Sequence, residues 1–375
     1  MAVEGFKAGL EDVVANTSEI CFIDGHEGRL VFRGYNVADL AETTSFEEVV
    51  YLLWKGDLPN RAQLEELRKE LADSSTLTEP VLDLLRSLPH DADPMDVLRS
   101  AVSLAGIYDP DGGSMTAEAN HRKAVRLVAQ VPGIVAAFDR LRHGKEPVKP
   151  EPSLGLAANF LYMLHGEKPK ELHARVFNTA LILHADHELN ASTFSARVTA
   201  GTLSDIYSAI TSAVGTLKGP LHGGANEQVM HMLDKIGTVE NAKPWIAEAL
   251  ARKEKIMGFG HRVYRTEDPR AIILRRLSKE VGDDAGDLHW YEMLNQIREA
   301  IMGSKKLYPN VDFYSGSVYS QMGIPTDLFT PVFAVSRVSG WTAHVLEQYQ
   351  NNRLIRPRAE YTGATHREFT PIERR

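Results

Sequence analysis

Between Ser45 and Tyr349, apolar residues return at helical spacing in stretch after stretch, and no strand–helix–strand alternation interrupts them. A chain patterned this way must bury one stripe of each helix against other helices, which confines it to packed-helix architectures. Ser45-Phe46-Glu47-Glu48 carries a capping-box pattern, with Ser45 as N-cap and Glu48 at the third helical position. The same grammar predicts helices over Arg61–Leu71, Pro80–Leu88, Pro94–Ile107, Ala117–His143, Leu154–Leu164, Leu172–Glu188 and Phe329–Tyr349. Pro132-Gly133 is expected to kink or divide the Ala117–His143 helix. Only Glu19–Ile23 and Arg29–Arg33 read as β, a hairpin around Asp24–Gly28, after which Gly34-Tyr35 hands over to helices. The expected fold is mostly α with a small N-terminal β-hairpin, and 375 residues suffice for two domains.

Composition removes several function classes. A net charge of −8 leaves no basic field for nucleic acid. No apolar run approaches the length that spans a bilayer, so no membrane partner is expected. A lone cysteine, Cys21, rules out an internal disulfide framework and a multi-cysteine metal site. Met1–Val14 holds Glu4, Glu11 and Asp12 and no sustained apolar run, unlike a secretory or transit segment. The expectation is a cytoplasmic protein.

The chemistry is concentrated in loops. Gly219-Pro220-Leu221-His222-Gly223-Gly224-Ala225-Asn226 sets His222 just ahead of a helix N-terminus, where partial positive charge favours neutral imidazole. A neutral histidine can donate to a carbonyl oxygen that gains charge during reaction. The blander alternative is a space-filling turn residue. Lys255 to Arg265 contains a second histidine, His261, on a glycine-spaced loop, without the strand-turn-helix setting of a dinucleotide site. Asp268 reads as an N-cap and Pro269 as the first helical residue. Arg270 then opposes the helix dipole, a misfit that suits a bound carboxylate. Asp312, in the unusual loop Tyr308–Gly316, lies between Val311 and Phe313, where partial burial would raise its pKa toward that of a useful base. The alternative is a turn aspartate bonding to backbone. Arg337, amid Val335, Val338 and Trp341, needs an anionic partner. His184 and His187, three apart, share one helical face, but their acidic neighbours lack the spacing of a known metal motif. The basic tail Asn351–Arg358 includes Arg356.

Taken together, Gly219–Asn226, Gly258-Phe259-Gly260-His261-Arg262-Val263-Tyr264, Asp268-Pro269-Arg270 and Pro309–Gly316 resemble the signature segments of citrate synthases. The resemblance runs from the Asp24-Gly25 hairpin to Arg356-Pro357. It implies a two-domain helical homodimer, with 222–323 as a small domain between two parts of a large one, 1–221 and 324–375. By resemblance, Asp312 takes a methyl proton from acetyl-CoA, and His222 stabilises the enol or enolate. His261 polarises the oxaloacetate carbonyl. Arg270, Arg337 and Arg356 hold carboxylates, Arg356 from the other subunit, and His187 and Asn190 complete the oxaloacetate site. Asn190 sits in a stretch one residue tighter than in longer eukaryotic members. The family suggests the backbone of Met257, Gly258, Phe259 and Gly260 for the CoA adenine. Charge alone adds Lys255, Lys305 and Lys306 for its phosphates. No metal or cofactor is implied, acetyl-CoA being a co-substrate. The N-terminal extension of the NADH-regulated bacterial members is missing, so a simple dimer without that regulation is expected.

The implied reaction is a Claisen-type condensation followed by hydrolysis of citryl-CoA to citrate and CoA. The nearest rival is a 2-methylcitrate synthase using propionyl-CoA, since one methylene shifts binding by only about 1–3 kcal/mol. A remoter one is an inactive regulator that binds CoA or a dicarboxylate.

Overall fold

The computed structural model describes residues 7–11, 13–305 and 307–375. A three-stranded antiparallel sheet opens the fold: β1 (Cys21–Asp24), β2 (Arg29–Phe32) and β3 (Tyr35–Asn36), in that order. Cys21 pairs with Phe32 and Asp24 with Arg29, and Phe32 also pairs with Tyr35. The hairpin expectation holds, but β3 was not anticipated. Arg33 and Gly34 take positive φ and turn the chain back within two residues, too tightly for periodicity to register.

Helices account for nearly all the remaining regular structure. The first group is α1 (Val37–Thr43), α2 (Phe46–Lys55), α3 (Arg61–Ser74), α4 (Glu79–Ser87), α5 (Pro94–Ile107) and α6 (Ala117–Arg142). Next come α7 (Leu156–His165), α8 (Glu171–His184), α9 (Ala191–Gly201) and α10 (Ile206–Leu217). They are followed by α11 (Ala225–Ile236), α12 (Val239–Ala251), α13 (Pro269–Ala285), α14 (His289–Lys305), α15 (Val311–Gln321) and α16 (Phe329–Gln350). The capping box at Ser45 is present on both sides, with Glu48 Oε2 accepting the Ser45 backbone N–H at 2.7 Å.

Three boundaries differ from the sequence reading. Helix α6 is not divided: it runs unbroken through Pro132, whose surroundings from Ala124 to Asp139 are almost wholly buried. Packing on that scale outweighs the one backbone bond a proline removes. Helix α8 stops at His184 instead of reaching Glu188, because Asp186 accepts the Glu188 N–H (3.1 Å) and Glu188 turns left-handed. The loop expected over Tyr308–Gly316 becomes helical at Val311, with Asn310 as N-cap accepting the Asp312 N–H at 3.1 Å.

Helix α16 is the axis of the core. It is buried from Phe329 through Val345 and packs against α2, α6, α8, α9 and α10. Gly340 lets it approach the chain after α8, since a Cβ there would fall 2.4 Å from the Ala185 carbonyl oxygen and 2.5 Å from Asp186 Oδ1. Helices α11 to α15 pack mainly on one another, α13 against α14 and α15, and α12 against α14. Thr330, near the start of α16, bonds to the Gly223 carbonyl (3.3 Å) and to Glu227, joining the two groups of helices.

Candidate active site

Backbone geometry decides the state of both loop histidines. His222 lies between α10 and α11, and its Nε2 accepts the backbone N–H of Ser192 at 3.3 Å. A backbone N–H can only donate, so the ring proton is on Nδ1. Ser192 Oγ stands 2.8 Å from the same nitrogen and is held by the Trp341 indole N–H (3.1 Å) and by Asn190 Oδ1 (2.8 Å). His261 is the mirror case. Its Nδ1 accepts the N–H groups of Val263 (3.0 Å) and Tyr264 (3.2 Å), so its proton is on Nε2. Burial, helped by Arg337 for His222 and by Arg270 for His261, lowers each ring to about 4. Both are neutral donors at physiological pH.

Asp312 sits in the first turn of α15 with no hydrogen bond or ion pair to its carboxylate among the described residues. Burial raises it to about 6, against the pull of Arg270 and Arg337, while Asp268 adds to the rise. An unpaired carboxylate poised near neutrality is the profile of a general base.

The two arginines are held differently. Arg270 is buried against Asp268 by a forked pair, Nε to Oδ1 at 3.0 Å and Nη2 to Oδ2 at 2.7 Å. The misfit at this helix start is therefore partly answered within the chain, because the capping aspartate reaches the guanidinium as well as the Arg270 N–H. Arg337, equally buried, donates Nε to the His184 carbonyl (2.6 Å) and lies over the Phe333 ring at 4.6 Å. No carboxylate forms an ion pair with it among the described residues. Burial lowers it to about 10, so it keeps its charge. Phe333 also meets the rings of His222 (6.5 Å) and His184 (5.1 Å), which brings α8, α16 and the His222 loop to one place.

His187 is buried in the loop after α8, with its ring 5.1 Å from that of His261. Burial, then Arg270, keeps it neutral, well below the ordinary histidine value. Asp186 supports this loop from beneath. Its Oδ2 pairs with His344 Nε2 (3.3 Å), and Arg197 Nε donates to His344 Nδ1 (3.1 Å). Burial opposes the Asp186 charge, but His344 and Arg337 outweigh it and hold the carboxyl below its usual range. His184, by contrast, is a core residue bonded to the Ala180 carbonyl (2.8 Å), so the two histidines share no helical face. Among the described residues no cluster of histidine, cysteine and acidic side chains is arranged to hold a metal.

Two backbone ties connect these loops. Gly260 donates to the Tyr308 carbonyl and Asn310 to the Gly258 carbonyl, both at 2.9 Å, linking the His261 loop to the Asp312 helix. On the other side Arg265 donates to the Gly25 carbonyl (2.8 Å) in the β1–β2 turn. Only glycine fits there, since a Cβ on Gly25 would fall 2.3 Å from the Val263 carbonyl oxygen. Between these ties lies a cavity of about 200 Å³ lined by His261, Tyr264, Arg265, Asp268 and Tyr308.

The remaining expected residues lie in several places. Arg356 is exposed and lines a different cavity with Arg353, Phe194 and Leu10. Asn190 is the N-cap of α9, its Oδ1 accepting the Thr193 N–H (3.1 Å) and the Ser192 hydroxyl. Lys255 is exposed, Met257 to Gly260 form the loop tied to Asn310, and Lys306 and the side chain of Lys305 lie outside the described residues. Ser192, Tyr264, Asp268 and Trp341 were not assigned to the site from sequence. Tyr264 and Asp268 stand inside the signature segments, and Ser192 lies two residues beyond Asn190, which were the available signals.

The model of the citrate synthase C-terminal domain matches residues 9–358. Citrate synthase 2 of Bacillus subtilis is 56% identical over 368 residues, covering 98% of each chain. Among solved structures, the Pyrobaculum aerophilum citrate synthase superposes with a TM-score of 0.92 at 42% identity, covering 98% of this chain and 94% of its own. The Thermoplasma acidophilum citrate synthase, solved as a ternary complex with carboxymethyl coenzyme A and oxaloacetate, gives a TM-score of 0.92 at 35% identity and 98% coverage of both chains. With the family model spanning nearly its whole length, the chain belongs to the citrate synthase family of transferases.

Proposed function

We propose that this member of the family condenses acetyl-CoA with oxaloacetate and hydrolyses the resulting citryl-CoA, releasing citrate and CoA. The observation that carries the reading is the pair of neutral histidines in opposite tautomers together with an unpaired, raised aspartate on the helix tied to the His261 loop. Asp312 removes a proton from the acetyl methyl. The electrons move into the thioester carbonyl, whose oxygen His222 meets with its Nδ1–H. The new enol or enolate carbon attacks the ketone of oxaloacetate, and His261 delivers its Nε2–H to that oxygen as the bond forms. Water then adds to the thioester carbonyl, the carbon–sulfur bond breaks, and CoA leaves as the thiol with one of the water's protons while the other goes with the new carboxyl group. The proton held by Asp312 is lost to solvent, and His261 regains one from it. In the condensation each proton is either accepted by Asp312 or supplied by His261, so that step calls on no metal or further cofactor.

Arg337 and Arg270 receive the carboxylates, and His187 stands beside them. The backbone at Met257–Gly260 is assigned to CoA. Reactive intermediates are protected from water when 222–323, as a small domain, closes on 1–221 and 324–375. We assign Arg356 to the partner's site in a two-fold dimer, which its exposure and basic setting support. Complementation tests this: mixing inactive His222→Ala and Arg356→Ala chains should restore about half the activity per heterodimer, since one site is whole. Recovered heterodimers without activity would remove the shared site. Among the described residues no helix is long and apolar enough to cross a membrane. Together with the single buried cysteine this supports a cytoplasmic setting.

The test of the function is thiol release with oxaloacetate and either acetyl-CoA or propionyl-CoA, in parallel. Faster release from acetyl-CoA is expected. Preference for propionyl-CoA would make the chain a 2-methylcitrate synthase, and no release from either would overturn the enzyme reading.

A further inference from the structure

The Tyr264 side chain takes part in none of the steps above, yet it packs against both of the histidines assigned to oxaloacetate. It is 4% exposed and lines the 200 Å³ cavity. Its ring lies 4.7 Å from that of His261 and 5.7 Å from that of His187. Its hydroxyl sits 3.4 Å from His187 Nε2, its one hydrogen-bond partner among the described residues. The position is rigid, because the Tyr264 N–H is bonded to His261 Nδ1 and the next residue is bonded to the Gly25 turn.

We propose that Tyr264 is a further oxaloacetate-binding residue, whose hydroxyl accepts a hydrogen bond from His187 Nε2–H and donates its own proton to a carboxylate of the ligand. The hydroxyl and Nε2 share a single proton across their contact, which leaves two arrangements. If the hydroxyl donates to Nε2, only oxygen lone pairs face the cavity, and they repel an anion. If Nε2–H donates to the hydroxyl, the phenolic proton is free to point inward. An anion drawn in by Arg270 and Arg337 selects the second arrangement. Burial raises the phenol far above neutrality, so it stays a donor throughout the working pH range. His187 thereby acts through Tyr264, and one neutral imidazole sets the direction of one hydroxyl.

This inference rests on oxaloacetate occupying the cavity, and the experiment separates the two ideas. Tyr264→Phe keeps the ring and removes only the hydroxyl. Its dissociation constant and KM for oxaloacetate should rise about 10- to 100-fold, the loss expected for a hydrogen bond to a charged group. KM for acetyl-CoA and kcat at saturation should stay within about threefold, a split that general loosening of the fold would not produce. Histidine nitrogen NMR on the unaltered enzyme gives a second readout, with His187 expected as the Nε2–H tautomer when oxaloacetate is bound. Unchanged oxaloacetate affinity in Tyr264→Phe would overturn the tyrosine's role and leave the function standing, as would an unprotonated Nε2 in the complex. Failure of the unaltered enzyme to bind oxaloacetate would overturn both.

Discussion

Arg337 and Arg270 are both buried, lie close enough for Arg270 to lower the basicity of Arg337, and are treated in opposite ways by the fold. Arg337 rises from the most buried helix of the protein and receives a carbonyl oxygen and an aromatic face, but no paired carboxylate. Arg270 starts a helix among the loops and is held at both ends of its fork by Asp268. Isolated, the first contributes a net positive charge and the second close to none. A dianionic ligand is therefore attracted chiefly by Arg337, whereas Arg270 offers a donor whose direction is fixed in advance. Burying an unpaired guanidinium is costly, and the α16 core is the part of the molecule with packing enough to absorb that cost.

The largest expected effect lies outside this pair and isolates it. Asp312→Asn should lower kcat by about 10³-fold or more while the oxaloacetate dissociation constant changes less than about threefold. Near-normal turnover would remove Asp312 as the base. Next come the arginines. Arg337→Leu should weaken oxaloacetate binding about 100-fold or more, and no neutralisation elsewhere should restore it. Arg270→Leu should cost at least as much, because it leaves the buried Asp268 carboxylate facing the ligand. Adding Asp268→Asn to Arg270→Leu should then recover about tenfold in affinity, measured by calorimetry. If the double variant is no better than Arg270→Leu alone, the two arginines are equivalent and the contrast fails.

The smallest effect is a pH dependence. Only ionised Asp312 accepts a proton, so kcat/KM should fall about tenfold per unit as pH drops below about 6. Linkage gives stability the opposite dependence. The folded-state value lies above the unfolded one, so the ionised carboxylate destabilises the fold as pH rises through this range. Asp312→Asn should accordingly raise Tm by a few degrees at pH 8, and the gain should vanish near pH 4. A constant gain at every pH would mean that the substitution acts through packing rather than charge.

Local chemistry was legible where it was self-contained. The cap at Ser45, the Asp268-Pro269 helix start and the span of α5 follow from residues within a few positions of one another. The end of α8 did not, because the residue that stops it, Asp186, is held by His344, 158 positions further along the chain. The continuity of α6 through Pro132 depends likewise on what packs around it. In the site, the placement of His222, His261 and Asp312 on unusual loops was enough to mark them as candidates. The neutral ring of His222 and the raised carboxyl of Asp312 were readable as well, but the tautomers were not, since they are set by the backbone of Ser192, Val263 and Tyr264. Arg270 shows the limit most clearly: its awkward place on the helix was readable, but its partner two residues earlier was taken only as a cap.

Gly340 closes off one route to a tougher enzyme. Replacing a mid-helix glycine with alanine is a standard thermostabilising move, worth about 1 kcal/mol in an open helix. Here the added methyl would meet the Ala185 carbonyl and the Asp186 carboxylate well inside contact distance. Either α16 or the His187 loop would have to yield, and overpacking of this kind costs about 1–3 kcal/mol. The damage would also fall beside Arg337 and His187, so a variant that survived would still bind its substrate poorly. An engineering programme that ranks positions by helix propensity would place Gly340 near the top of its list, and it is among the last residues such a programme should touch.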